Sequence, residues 1–241
     1  MELNRLINDF KDYLLSSDLK SHIAKVILFG SHAKGVASPD SDIDVIVFTT
    51  DGIGVEEALM DRIYDFMIDT NAPLEVLISG IDSLFVCQDY FTYNITQYGW
   101  EIYSMEKDEI KMTMLKDLID LAEEYLDSAQ EVLESDRIRV AVDAAYNAAE
   151  LAAKALILSK QDDLPGSHGG VVSVFGQLYV KTNELDKALG RELNTALKLR
   201  NTARYKANVL LTKEDAKGVL DLAEKLITVM SEKQLARKTE E

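Results

Sequence analysis

The stretch GSHAKGVASPDSDIDVIV, residues 30–47, decides how this chain is read. It sets Gly30-Ser31 ahead of ten mostly small or polar residues, then places Asp42 and Asp44 one residue apart at the head of an apolar run. Residues two apart on a strand share a face, so this spacing lays two carboxylates side by side, where they repel each other unless a cation intervenes. One divalent cation relieves that repulsion, and two can clamp a triphosphate so that attacking and leaving oxygens are both stabilised. Carboxylates, phosphate oxygens and water are the ligand set that suits Mg²⁺. Gly30 and Ser31, where a strand ends and a helix begins, offer backbone that can approach a phosphate and a hydroxyl that can donate to it. Ser41, next to Asp42, is grouped with these nucleotide-binding positions. The plainer alternative is that Ser41 and Asp42 are turn residues and Asp44 points outward from a half-exposed strand.

Working outward, KVILFG at 25–30 is short, apolar and closed by glycine, which reads as a strand. IDVIVF at 43–48 and PLEVLI at 73–78 read as two more, with VEEALMDRIYDFMI at 55–68 as a helix between them. Glu75 lies inside the third strand between Leu74 and Val76, where a charge is costly without a partner. It is expected to join the two aspartates. Apolar residues at helical spacing predict a first helix over 3–19, and the segment after the third strand predicts a helix over about 82–97, a turn at Gly99 and a short strand to 103.

Beyond about residue 105 the pattern changes. Leu115, Leu118, Ala122, Tyr125, Ala129 and Val132 mark one helix, and an alanine-rich helix follows over about 136–160. DLPGSHGG at 163–170 carries the densest turn chemistry, and helices are expected over about 189–206 and 213–235, with VVSVFGQLYVKTNEL helical in this context. Thr212 with Asp215 three residues on resembles a helix start, and a frayed charged tail is expected at the end. The fold class predicted is α+β: a small mixed β-sheet domain with flanking helices over 1–105, then an all-α helical bundle over 106–241.

The 241 residues suit two domains. A net charge of −16 argues against a protein that grips nucleic acid with its whole surface, because such affinity comes from many Lys and Arg contacts. The acidity is concentrated early: residues 1–105 hold 6 basic and 17 acidic side chains, residues 106–241 hold 20 and 25. The single cysteine, Cys87, has no internal disulfide partner, no run is long and apolar enough to span a membrane, and the amphipathic, acidic start differs from a targeting leader. A cytoplasmic setting without membrane partners is expected.

Gly30-Ser31, ten residues, then Asp42-Ile43-Asp44 resembles the signature of the polymerase-β-like nucleotidyltransferase superfamily, especially its minimal members, over about residues 20–105. The resemblance implies that Asp42, Asp44 and Glu75 hold Mg²⁺ ions, two in number, that Gly30 and Ser31 contact the nucleotide phosphates, and that a nucleoside monophosphate passes from an NTP, with ATP the expected donor, to a hydroxyl acceptor with loss of pyrophosphate. The family often has Arg in the turn after Gly-Ser; this chain has His32 and Lys34, and Lys34 is assigned the cationic phosphate contact.

The second half is similar to the HEPN helical domains that accompany minimal nucleotidyltransferases, on the strength of AYNAAELAAKALIL and ALKLRNTARYKANV. Asp143, Tyr146, Glu150 and Lys154 recur every three or four residues as a polar stripe. It either lines a cleft, with Glu150 as general base by analogy with aminoglycoside-modifying relatives, or is a plain surface face with a Glu150–Lys154 ion pair. Many HEPN ribonucleases rely on Arg followed after four to six residues by His; here Arg200 is followed at those places by Tyr205, Lys206 and Ala207. With His22, His32 and His168 the only histidines, the imidazole of that route is missing. His168 is expected to be simply solvated in its loop. Lys187, Arg191, Lys198, Arg200, Arg204 and Lys206 form a local basic patch suited to an anionic ligand such as a triphosphate or an RNA end, or to neutralising acidic helices.

The expected partners are therefore an NTP and an acceptor, either a small molecule such as an aminoglycoside or a protein tyrosine. Nucleic acid is expected only locally, and a homodimer is possible by architecture. The alternative function is a regulatory or NTP-binding module derived from a toxin–antitoxin pair, its HEPN half unable to cut RNA and Tyr205 the residue to watch for self-modification.

Overall fold

The computed structural model describes residues 3–50, 53–86 and 90–238. It contains, in chain order, α1 (Leu3–Leu15), a 3₁₀ turn, β1 (Ile23–Leu28), α2 (Gly30–Ala33), β2 (Ile43–Thr49), α3 (Ile53–Thr70), β3 (Leu74–Gly80), α4 (Asp82–Phe85), α5 (Tyr90–Tyr98) and β4 (Trp100–Ser104). The helices α6 (Lys107–Glu134), α7 (Ile138–Lys160), α8 (His168–Phe175), continued by a π-helical turn (Gly176–Val180), α9 (Lys187–Tyr205) and α10 (Lys213–Lys238) complete it. The chain divides into two compact units, Met1–Met114 and Leu115–Glu241, so that α6 begins in the first and continues in the second. The fold is α+β.

The first unit is built on a four-stranded sheet in the order β3-β2-β1-β4. β1 runs antiparallel to β2 and β4, while β2 and β3 are parallel and joined through α3. The central strands are apolar on both faces because both are covered. On one side Val26, Leu28, Val45 and Val47 pack with Phe10 and Leu14 of α1 and Leu59, Ile63 and Phe66 of α3. On the other, Ile27, Ile46 and Phe48 pack with Ile95 of α5, Phe29 and Leu84.

The single helix expected over about 82–97 is two helices, α4 and α5; the stretch between them, which holds Cys87, lies outside the described residues. Glycine at 99 ends α5 as expected: a Cβ there would stand 2.6 Å from the Ile95 carbonyl and 2.3 Å from the Ile27 side chain.

The second unit is a helical bundle arranged around α7. Ala141, Ala145, Ala148, Ala149, Ala152, Ala153 and Ala155 are all fully buried, and such small side chains let the neighbouring helices approach the backbone closely. Thr212 and Asp215 form a reciprocal capping box at the head of α10, each accepting from the other's backbone N–H, at 3.1 and 2.8 Å. Arg139 of α7 donates to the carbonyls of Thr202, Ala203 and Lys206, closing the C-terminal end of α9. α10 continues to Lys238, past the expected end near 235, and residues 239–241 of the tail lie outside the described residues.

Candidate active site

β1 ends at Leu28 and the chain turns at once into α2. Gly30 takes φ +69°, a conformation that penalises a side chain. Space demands glycine as well, since a Cβ at position 30 would lie 1.8 Å from Oδ2 of Asp44. The carboxylate of Asp44 therefore lies directly over the Gly30 backbone. Two main-chain bonds fix this: Phe29 N–H donates to the Asp44 carbonyl at 2.9 Å, and Ile43 N–H to the Pro73 carbonyl at 2.8 Å.

Parallel pairing of β2 with β3 places Asp44 opposite Glu75. Register thus sets Glu75 beside Asp44, while Asp42 precedes the paired residues. Asp42 stands one residue before β2 and is exposed, Glu75 is exposed, and Asp44 is half-buried. None of the three forms an ion pair or side-chain hydrogen bond among the described residues, and no three His, Cys, Asp or Glu side chains there are gathered closely enough to hold a metal ion. The chemistry still fits a hard divalent cation: hard carboxylate oxygens without protein cations against them, beside a glycine that a single Cβ would block.

Ser31 has no side-chain hydrogen bond among the described residues, which leaves its hydroxyl open for a ligand. The Ser41 hydroxyl is engaged locally instead, accepting from Ser38 N–H at 2.8 Å and lying 3.0 Å from the Ser38 hydroxyl. Lys34 is exposed just past the end of α2. Sequence reasoning gave His32 no more than the place of a missing arginine. Its Nε2 meets the Ser41 carbonyl at 3.2 Å and so ties α2 to the loop that leads into Asp42.

In the helical unit the polar stripe is neither a surface face nor an open cleft lining. Tyr146 is fully buried and Glu150 is 5% exposed, because α8 and α9 cover this side of α7. The partner of Glu150 is His168 rather than Lys154: Nδ1 lies 2.8 Å from each carboxylate oxygen. His168 is therefore not a merely solvated loop residue. The Tyr146 ring meets His168 edge-on at 5.8 Å, and its hydroxyl has no hydrogen-bond partner of ordinary geometry. Burial, followed by the charge of Glu150, pushes the Tyr146 phenol well above the usual tyrosine range, with Arg200 opposing.

The basic patch also divides. Arg200 is 6% exposed, its guanidinium over the Tyr146 ring at 5.9 Å and its Nε 3.6 Å from Asp143. Arg204 binds Asp143 through two bonds, of 2.6 and 2.8 Å. Lys187, Arg191, Lys198 and Lys206 are exposed. Most of the supposed patch is thus solvated, and two arginines are bound to an acid that sequence reasoning placed on another helix stripe.

A family model for the nucleotidyltransferase domain matches residues 7–121, and one for the HEPN domain matches residues 115–234. A Methanocaldococcus jannaschii protein named "Putative toxin MJ0142" is 36% identical over 106 residues, covering 44% of this chain and 71% of that protein. Another from the same organism, named "Putative protein adenylyltransferase MJ0141", is 29% identical over 102 residues, 42% of this chain and 100% of that protein. Among solved structures, TT1696 from Thermus thermophilus is 25% identical and covers 49% of this chain and 97% of its own, with a TM-score of 0.43. No helix among the described residues is long and apolar enough to cross a membrane. The chain belongs to the proteins in which a nucleotidyltransferase domain is followed by a HEPN domain.

Proposed function

We propose that the protein is a Mg²⁺-dependent transferase that moves a nucleoside monophosphate from ATP to a hydroxyl acceptor and releases pyrophosphate. The observation that carries this reading is the fit of Asp44 over Gly30 in register with Glu75. It sets a phosphate-approaching backbone against a carboxylate without a protein cation. Asp42, Asp44 and Glu75 would hold the metal; when bound, it supplies positive charge against the polyphosphate. Gly30 and Ser31 orient the phosphates through backbone N–H and hydroxyl, and Lys34 adds a mobile cation at the rim. Ser41 contributes by shaping the 38–41 turn ahead of Asp42, since its hydroxyl is already engaged.

Glu150, the candidate base for the acceptor, is buried against His168. It has no free carboxylate to offer a hydroxyl, so any basicity it lends acts through the imidazole. The test is label transfer: wild type and an Asp42→Asn/Asp44→Asn variant are incubated with each α-labelled NTP, Mg²⁺ and candidate acceptors, including aminoglycosides. Label on an acceptor or on the protein, absent from the variant, supports the reading. Pyrophosphate-free binding of Mg²⁺–NTP, with no label anywhere, counts against it.

A second reading follows from the relatives' names, since this one chain matches both a toxin-named and an adenylyltransferase-named protein. Here the protein is a regulatory module in which the nucleotidyltransferase half acts on a helical half whose Arg200 lacks the following histidine. Exposed Tyr205, 73% accessible beside Arg200, is then the tyrosine to examine.

A further inference from the structure

Glu150 and His168 lie outside the metal and phosphate site proposed above, and their arrangement is that of an oriented nucleophile. A carboxylate only accepts hydrogen bonds, so with Nδ1 2.8 Å from both Glu150 oxygens a proton sits on Nδ1, and the neutral form of the ring carries its lone pair on Nε2. The carboxylate is buried while the His168 side chain is 42% exposed, so the ring is pinned at its inner edge and open at the other. Tyr146, edge-on at 5.8 Å and fully buried, backs the pair from inside the unit.

The surroundings leave room for a bulky group. His168 begins α8 behind the Ser167 cap, whose hydroxyl accepts from Gly170 N–H at 3.1 Å. It is followed by Gly169, where a Cβ would meet nothing within 4 Å. The other two histidines differ: His32 turns its Nε2 to the Ser41 carbonyl, and His22 has a partner of its own. Among the described residues, His168 is the imidazole that a buried carboxylate orients.

We propose that His168 Nε2 is an acceptor of the nucleotidyl group, which makes the helical half of this chain, in the same or a second copy, a substrate of the transferase. The inference rests on the nucleotidyl-transfer reading. In the step, the Nε2 lone pair attacks the α-phosphorus of the NTP and forms a P–N bond. The bond from the α-phosphorus to the bridging oxygen breaks, and pyrophosphate leaves with those electrons. The Nδ1 proton passes to Glu150 and on to water, leaving a neutral phosphoramidate ring. Glu150 is a positioning residue, which holds the nucleophilic tautomer.

The full chain is incubated with α-labelled ATP and Mg²⁺, as wild type and as His168→Gln, Tyr205→Phe and Glu150→Ala, with circular dichroism to confirm folding. The expected label is stable to alkali, lost in mild acid, absent from His168→Gln and retained in Tyr205→Phe. Glu150→Ala slows it on the order of tenfold or more, and ¹⁵N spectra show the His168 proton leaving Nδ1. An acid-stable label that disappears in Tyr205→Phe overturns the proposal but keeps nucleotidyl transfer, as does pyrophosphate release to an added acceptor with an unlabelled protein. No label and no pyrophosphate with any NTP overturns both. Diethyl pyrocarbonate judges the imidazole without any NTP: His168 is expected to acylate faster than His22 and His32, and acylation at their rate, unchanged in Glu150→Ala, overturns the nucleophile.

Discussion

The two units treat their charged residues in opposite ways. In the first, Asp42, Asp44 and Glu75 stand at the head of two parallel strands with no ion pair among the described residues. In the second, Glu150 and Arg200 are buried, and Glu150, Asp143, Arg200 and Arg204 are paired with one another or with His168. Carboxylates kept without protein partners are suited to a ligand that brings its own cation, whereas carboxylates already paired hold structure or orient a neighbour. Chemistry is therefore expected to fail when the first set is altered, and stability or orientation when the second is.

The sharpest break comes from Asp42→Asn/Asp44→Asn, for which nucleotidyl transfer is expected to fall on the order of 10³-fold with an unchanged denaturation midpoint. A parallel loss of stability would mean that these carboxylates are structural after all. Next is Gly30→Ala, which combines a left-handed backbone with a collision against Asp44. It is expected to lose most activity and about 1–2 kcal/mol of stability, measured by urea unfolding.

Glu150→Ala leaves His168 without its acceptor and costs about 1–3 kcal/mol. Arg139→Ala uncaps the carbonyls ending α9 and costs about 1 kcal/mol, while an exposed pair such as Lys116–Asp120 is worth at most about 0.5 kcal/mol. Tyr146 supplies a pH test of the same contrast. Its phenol holds its proton in the folded chain beyond the pH at which an unfolded tyrosine loses it, so its contribution is complete below about pH 10 and declines above that. Wild type should therefore lose stability more steeply in alkali than Tyr146→Phe, as followed by unfolding at several pH values.

How much could be read in the sequence follows the same division. Gly30, Asp42, Asp44 and Glu75 were legible because a strand's alternation and one short connection carry them, and the parallel register of β2 and β3 needed no more than an intervening helix. The capping box at Thr212 and Asp215 was legible for the same local reason. The Glu150–His168 pair was not. A periodic polar stripe on α7 looks alike whether it faces water or another helix, and what buries it is the packing of α8 and α9, far along the chain. The signal that was available is the alanine content of α7, which marks a helix enclosed on several sides, so that a polar residue within it is expected to have a buried partner. The division of 82–97 into two helices had no comparably clear mark, since its aromatic and β-branched residues suit either structure.

The central claim is tested by the rate of pyrophosphate release from ATP and Mg²⁺ by Asp44→Asn beside Arg139→Ala, each with its denaturation midpoint. The account predicts that Asp44→Asn abolishes release without losing stability, while Arg139→Ala retains release and unfolds earlier. Undiminished release by Asp44→Asn would contradict it.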